Sequence, residues 1–317
     1  MTMVDLFQQS YSYKHHYLHA PGYDVFTFLD RAASDGFTGV SININGANYR
    51  QLSGTSVAHQ RAVGDRLKVL RLRCDLETSG TDRPHLETIL EVCGNLGAEQ
   101  LRTYMRHGGS VAETIDRTIA DLRIAAPIFE RANVRLMLEN HEDFTGAEMA
   151  TILSAVDHPF VGVLYDYGNS MMVGEEPMTA LAAMLPYVRS AHLKDHACRV
   201  SADGERQILG VPIGSGTLPI ADGTRALVGA GLDRIILSSV WAYQAPVRDW
   251  RGDGVWGRGV FRVEQPPFDS LQRPWDAAEL AERDPRRLVE LEDQAVQQGQ
   301  SWLRAMLREI GVEIRSR

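Results

Sequence analysis

Three residues in the middle of the chain have the types and the setting to do chemistry together. An apolar run, Leu136-Met137-Leu138, stops abruptly at Glu139-Asn140-His141 within VRLMLENHEDFTG. A second apolar run ends at Asp166 in LYDYGN, and His192 lies at the end of a further strand-like segment in AHLKDH. Two carboxylates and an imidazole form an oxygen and nitrogen donor set. Such a set suits manganese, magnesium, iron or zinc rather than a metal that seeks thiolates. Taken singly, each is an ordinary strand-end polar residue, as a salt-bridged Glu139 would be. Taken together, Glu139, Asp166 and His192 are candidate metal ligands. His141 lies two residues past Glu139 and either enters the same pocket or orients a ligand.

Strands and helices must alternate to bring these residues together. Eight strands are predicted: DLFQQSYSY, FTGVSINI, LKVLRLRCDL, AEQLRTYM, VRLMLEN, FVGVLYDYGN, VRSAHLKD and LDRIILSSVW. Helical segments lie between them. YDVFTFLDRAASDG is amphipathic and closed by Gly36, and RPHLETILEVCGNLG has proline near its start and glycine at its end. A short helix is expected over 56–64 and a last one around 286–310. Eight strand-then-helix units in about 300 residues predict an α/β fold closed as a (β/α)8 TIM barrel. One domain is expected over 1–317, with an insertion at about 243–274 after the eighth strand. A doubly wound open sheet usually has fewer strands and a phosphate-binding glycine loop, which is missing here. GVPIGSG is read instead as an active-site loop. Barrel enzymes carry their reactive groups at the C-terminal ends of the strands. Glu139, Asp166 and His192 are expected at those ends, on strands five, six and seven.

Other residues near the same face carry two readings each. Lys194 shares the pleat face of His192 if the strand continues, and then touches a substrate oxygen or forms a salt bridge. Asn169 is a turn residue or a hydrogen-bond partner for a substrate hydroxyl. Arg102 is expected to pair with carboxylates in the barrel mouth before it contacts substrate. His15 and His16 follow strand one; on an extended chain only one of them faces the pocket, and His16 is kept as a substrate contact. Trp241, Tyr243, Trp250, Trp256 and Phe261 are a packed lid core or a stacking wall for a flat or glycosidic substrate, with Trp241 kept as a substrate contact.

Bulk properties narrow the class. The chain has 317 residues, a formal net charge of −8 and no basic block, which speaks against a nucleic-acid partner. Cys74, Cys93 and Cys198 are widely spaced, so neither a disulfide framework nor a cysteine zinc site is suggested. No apolar run has membrane-spanning length, and the start lacks the pattern of a signal peptide. A cytoplasmic protein acting on a small molecule is expected, with a homo-oligomer or a partner subunit left open.

The ordered set LENHEDF, GVLYDYGNS, AHLKD, IGSGTLPI and LGAEQLR resembles the sugar phosphate isomerase/epimerase group of the xylose-isomerase-like barrel superfamily, over roughly 4–240. The resemblance implies one divalent ion, manganese or magnesium first, with zinc, iron or cobalt compatible. In that family four residues at the ends of strands five to eight hold the ion. Glu139, Asp166 and His192 match the first three. The fourth is normally a glutamate, but DRIILSSVWAY places Ser238 or Ser239 there. Glu264 in FRVEQPPF, beside Pro266 and Pro267, is expected as a substitute reaching back from the insertion, with water as the alternative.

The chemistry implied is proton removal beside a carbonyl of a sugar or keto-sugar, with the ion stabilising the negative charge that develops. Glu139 or His141 is the candidate base and Lys194 a further catalytic residue. Isomerase or epimerase is expected first. Family epimerases use two glutamates on opposite faces of the sugar, so the serine raises a lyase as the alternative, either a dehydratase or an enzyme cleaving 3-keto-glycosides. A sugar-binding barrel without catalysis is the reading from a different class. The DNA-repair branch of the superfamily needs many more histidine and carboxylate ligands than this chain offers.

Overall fold

The computed structural model describes residues 2–247, 249–265, 271 and 277–317. Twelve strands follow in chain order: β1 (Thr2–Gln9), β2 (Gly39–Asn43), β3 (Arg73–Glu77), β4 (Gln100–Thr103), β5 (Arg135–Glu139), β6 (Val161–Asp166), β7 (Val188–Leu193), β8 (Asp195–Val200), β9 (Arg206–Val211), β10 (Arg234–Leu237), β11 (Gln244–Pro246) and β12 (Val312–Ile314). Strands β1 to β7 and β10 pair in parallel, each with its neighbour, and β10 pairs back onto β1 to close the ring. The result is a TIM barrel. β12 extends the start of β1 outside the ring.

Pleating sorts the side chains. Phe7, Met137, Leu164 and Ile236 come from four strands and form their own buried cluster, apart from the larger core. They plug the barrel interior. Gly39 is required beside them, because a β-carbon there would lie 2.4 Å from the Phe7 ring. Two residues further along each strand the same face carries Gln9, Glu139, Asp166 and Ser238. The apolar layer is thus the floor, and the polar layer above it opens at the C-terminal ends of the strands. Outside the ring, helices such as Val111–Ala132 and Pro285–Glu309 cover the strands with one apolar stripe each.

The chain departs from expectation in four places. LKVL belongs to the helix Val57–Leu70, so β3 begins only at Arg73. Ser56 caps that helix by accepting from His59, its buried Val63 and Leu67 are four residues apart, and Arg71 ends it in a left-handed conformation (φ 55°). After β1 the chain turns into the helix Lys14–His19 instead of continuing extended. β8 and β9 form an antiparallel hairpin where a loop was expected, and β11 from the insertion adds a third strand to it. GVPIGSG begins inside β9. Pro266 and Pro267 of the insertion lie outside the described residues. Among the described residues, no helix is long and apolar enough to cross a membrane.

Candidate metal centre and active site

Glu139 and Asp166 end β5 and β6, His192 is the penultimate residue of β7, and register places Asp166 directly beside His192. All three are buried. Nδ1 of His192 lies 3.3 Å from Oε1 of Glu139 and 3.6 Å from Oδ2 of Asp166. An ion with bonds of about 2.1 Å needs its donors roughly 3.0–3.4 Å apart; one ligand atom from each group lies within 4.8 Å of the others, so a small inward shift would gather the three around a divalent ion. Each is also held in place. Asp166 Oδ1 accepts from the backbone of Gly168 and Asn169 at 3.1 and 3.2 Å, which leaves Oδ2 facing the other two. Asn140 ties β5 to β6, donating to the Asp166 carbonyl and accepting from the Asp166 amide. This is why the apolar run ends in Glu-Asn: one side chain faces inward, and the next stitches the strand ends.

Two cations balance the acids. Lys194 is buried, with Nζ 2.7 Å from Asp166 Oδ2 and 3.1 Å from Asn169 Oδ1. Arg102 lies between Glu77 (2.5 Å) and Glu139 (3.3 Å), the carboxylate pairing expected of it. Burial alone would raise the pKa of Glu139, but Arg102 and His192 outweigh it and hold the carboxyl below its usual range. Asp166 is likewise held low: Lys194 and His192 overcome its burial.

Glu77, at the end of β3, was not anticipated. It is fully buried and accepts from Ser41 Oγ (2.6 Å), Gln9 Nε2 (2.7 Å) and Arg102. Its Oε1 lies 3.0 Å from His192 Nε2. A carboxylate on the far nitrogen fixes the imidazole tautomer and orients the other nitrogen toward an ion. The predicted third strand stopped at Leu76, one residue short. Glu77 shares the pleat face of Asp75, and that spacing is the signal that could have found it.

The position facing these groups from β10 is Ser238. Its Oγ donates to Gln9 Oε1 at 2.5 Å. Glu264, the expected substitute for the missing carboxylate, is not brought together with the three groups among the described residues. Its backbone pairs with Cys198 of the hairpin, and it is absent from both the metal-capable group and the cavity wall. The insertion packs against β8 at this point, through the Cys198–Val263 β-bridge and the Glu264 amide.

Above the three groups opens a cavity of about 470 Å3. His141 lines it, stacked on Tyr104 with ring centroids 3.8 Å apart. Burial lowers the His141 pKa despite Glu139 and Glu142, which keeps the imidazole neutral. Asn169 and Lys194 line the cavity as well. His16 does not. On the helix it turns outward to Glu292 (2.7 Å) and Asp293 (3.2 Å) of the C-terminal helix. His15 is also absent from the wall, where Tyr11, Lys14 and Leu18 stand instead. Trp241 is buried among Leu288, Leu291 and Ala295, and its indole N–H donates to the Leu271 carbonyl. Trp250 packs against Trp256 and Phe261 as a core under the insertion. Of the aromatics around the insertion, Tyr243 is on the cavity wall, and its hydroxyl bonds Glu142.

Closed barrel and strand-end acids together define the class. The chain belongs to the xylose isomerase-like TIM barrel family, whose model matches residues 29–258. It is 24% identical over 167 residues to the uncharacterized protein YihM of Escherichia coli (strain K12), covering 53% of this chain and 51% of that one. It is 28% identical over 150 residues to a 3-oxo-isoapionate decarboxylase of Pectobacterium atrosepticum, covering 47% and 54%. The chain thus spans about half the length of these curated relatives. The fold overlaps the structure of IOLI protein with a binding zinc atom at a TM-score of 0.62, with 13% identity and coverage of 92% and 96%.

Proposed function

We propose that the chain is a metal-assisted enzyme that forms an enolate or enediolate beside the carbonyl of a sugar-derived substrate, and that it then breaks a bond at the adjacent carbon, as a lyase does. One observation carries this reading: Glu139, Asp166 and His192 converge on one point while Ser238, not a carboxylate, faces them. When bound, a divalent ion supplies Lewis-acid stabilisation of negative charge on the carbonyl oxygen. Manganese or magnesium fits the oxygen-rich donor set first, with zinc, iron or cobalt also compatible.

The chain's own residues do the rest. Arg102 and Lys194 keep Glu139 and Asp166 ionised, and Glu77 holds the imidazole of His192 in place. Asn169, fixed by Lys194, presents its amide to the cavity. His141 is the group that takes or returns a proton, since its neutral ring stands on the wall against Tyr104. Two-base epimerisation needs a second acceptor on the opposite face, where Ser238 offers a hydroxyl committed to Gln9. β-Elimination needs only one base; in decarboxylation the departing carbon dioxide leaves its electron pair as the enolate, and His141 or water then returns a proton to carbon, a course the similarity to a decarboxylase also supports. Isomerisation along one face is the second reading, favoured by the single neutral imidazole of His141.

The test is turnover in deuterated water with 3-keto sugar acids and 3-keto-glycosides. Release of carbon dioxide or of the β-substituent, in step with substrate loss, supports the lyase. Deuterium wash-in with no group released supports the isomerase. Hydrolysis with neither signature excludes the enolate.

A further inference from the structure

Four cations line the cavity: Lys14, Arg50, Arg102 and Lys194, of which Lys14 is half-buried and Arg50 exposed. Two are engaged, Arg102 by Glu77 and Glu139, Lys194 by Asp166. Lys14 and Arg50 form no ion pair and no side-chain hydrogen bond among the described residues. Lys14 Nζ lies over the Tyr11 ring, 5.7 Å from its centroid, and Glu292 is the carboxylate whose charge reaches it. Lys14 is half-buried; that partial loss of water is a cost to its charged form and lowers its pKa although Glu292 acts the other way, and no carboxylate among the described residues pairs with it. A ligand that brings the missing negative charge would recover that cost.

The two cations are built into one side of the mouth. The helix Lys14–His19 packs against Ala47–Leu52, which carries Arg50. Ser10 links the two segments, donating to Gln51 Oε1 and accepting from the Asn43 amide, both at 2.9 Å. Asn48 and Tyr49 take consecutive left-handed conformations (φ 53° and 50°), and this turn brings Arg50 back to the cavity wall. These segments follow β1 and β2, whereas the three acid and imidazole groups lie at the C-terminal ends of β5, β6 and β7. In the eight-strand ring the two sets lie on opposite sides of the cavity.

We propose that Lys14 and Arg50 form an oxyanion subsite, and that the substrate is a sugar-derived acid whose phosphate or carboxylate sits there while its carbonyl lies at Glu139, Asp166 and His192. Only the carbonyl end rests on the enolate reading. An acid held at its far end is oriented with its reacting carbon toward His141. Neutral sugars of the same length lack that anchor and are discriminated against.

Calorimetric titration of the full chain, stripped of metal, tests the subsite with three probes: glucose 6-phosphate, glucuronate and glucose. At least one anion is expected to bind about tenfold or more tightly than glucose. Which anion is the tighter identifies phosphate or carboxylate as the group recognised. Lys14→Met and Arg50→Gln should each weaken that anion by about tenfold and leave glucose unchanged. Anions that bind no better than glucose, or that bind both variants as tightly as the wild type, overturn the proposal. Metal content measured on the same samples before stripping is a separate readout. Its absence would remove the enolate reading and leave the anion result standing.

Discussion

Nε2 of His192 lies 3.0 Å from Oε1 of Glu77, while Nδ1 of the same ring faces Glu139 and Asp166. One imidazole therefore joins a carboxylate on β3 to the acid pair on β5 and β6. Glu77 acts through the ring and touches no ion itself. Glu77→Gln keeps the shape and removes the charge. It should weaken metal affinity by about 10- to 100-fold, read by chelator competition. Unchanged affinity in a folded variant would mean that the ring needs no such partner.

Ser238 tests the vacancy on β10. Its side chain is buried, lines the cavity and bonds Gln9. Ser238→Glu adds a hard anionic donor beside His192 and should tighten metal binding by about tenfold. A variant that folds and binds the ion no better would show that this side chain points away from it. Glu264→Gln should leave affinity unchanged, because Glu264 sits by Cys198 instead.

Trp241 separates packing from recognition. It is 2% exposed and packed against Leu288, Leu291 and Ala295. Trp241→Ala should cost about 3–5 kcal/mol of stability by chemical denaturation. Metal affinity measured well below the denaturation midpoint should not move. A loss of metal or ligand binding without a loss of stability would return Trp241 to the site.

His16 sets a pH dependence. Burial lowers its pKa, but Asp293 and Glu292 outweigh burial and raise it to about 9 from 6.5. The folded value lies above the unfolded one, so the contribution is complete below pH 6.5 and is lost as pH rises through about 9. Unfolding free energy should fall across that window more steeply in the wild type than in His16→Gln. Equal slopes would show that the ring is not held protonated.

The barrel and its two acids were legible because β5 and β6 switch from apolar to polar at the strand end, and His192 because it takes the matching place on the next strand. Leu138 to Glu139 is such a switch, and it marks both the strand end and the chemistry. Arg102 was legible for the same reason, as a cation in a mouth full of carboxylates. Glu77 was hidden by a boundary. The helix Val57–Leu70 consumed LKVL, and the strand ran one residue further than its apolar pattern. His16 was misplaced by a change of period: alternation holds for a strand, but Lys14–His19 is helical, which puts Lys14 and Leu18 on the cavity side. Trp241 and Glu264 depend on the Pro285–Glu309 helix and the β8–β9 hairpin, contacts made across long sequence separations. No local pattern encodes those distances.

Metal content of the purified protein tests the central claim most directly, with wild type and His192→Ala measured side by side by elemental analysis. The account predicts close to one divalent ion per chain in the wild type and a loss of most of it in the variant, with the variant still folded. A wild type that takes up no divalent ion, or a variant that keeps its full complement, would contradict a site built from Glu139, Asp166 and His192.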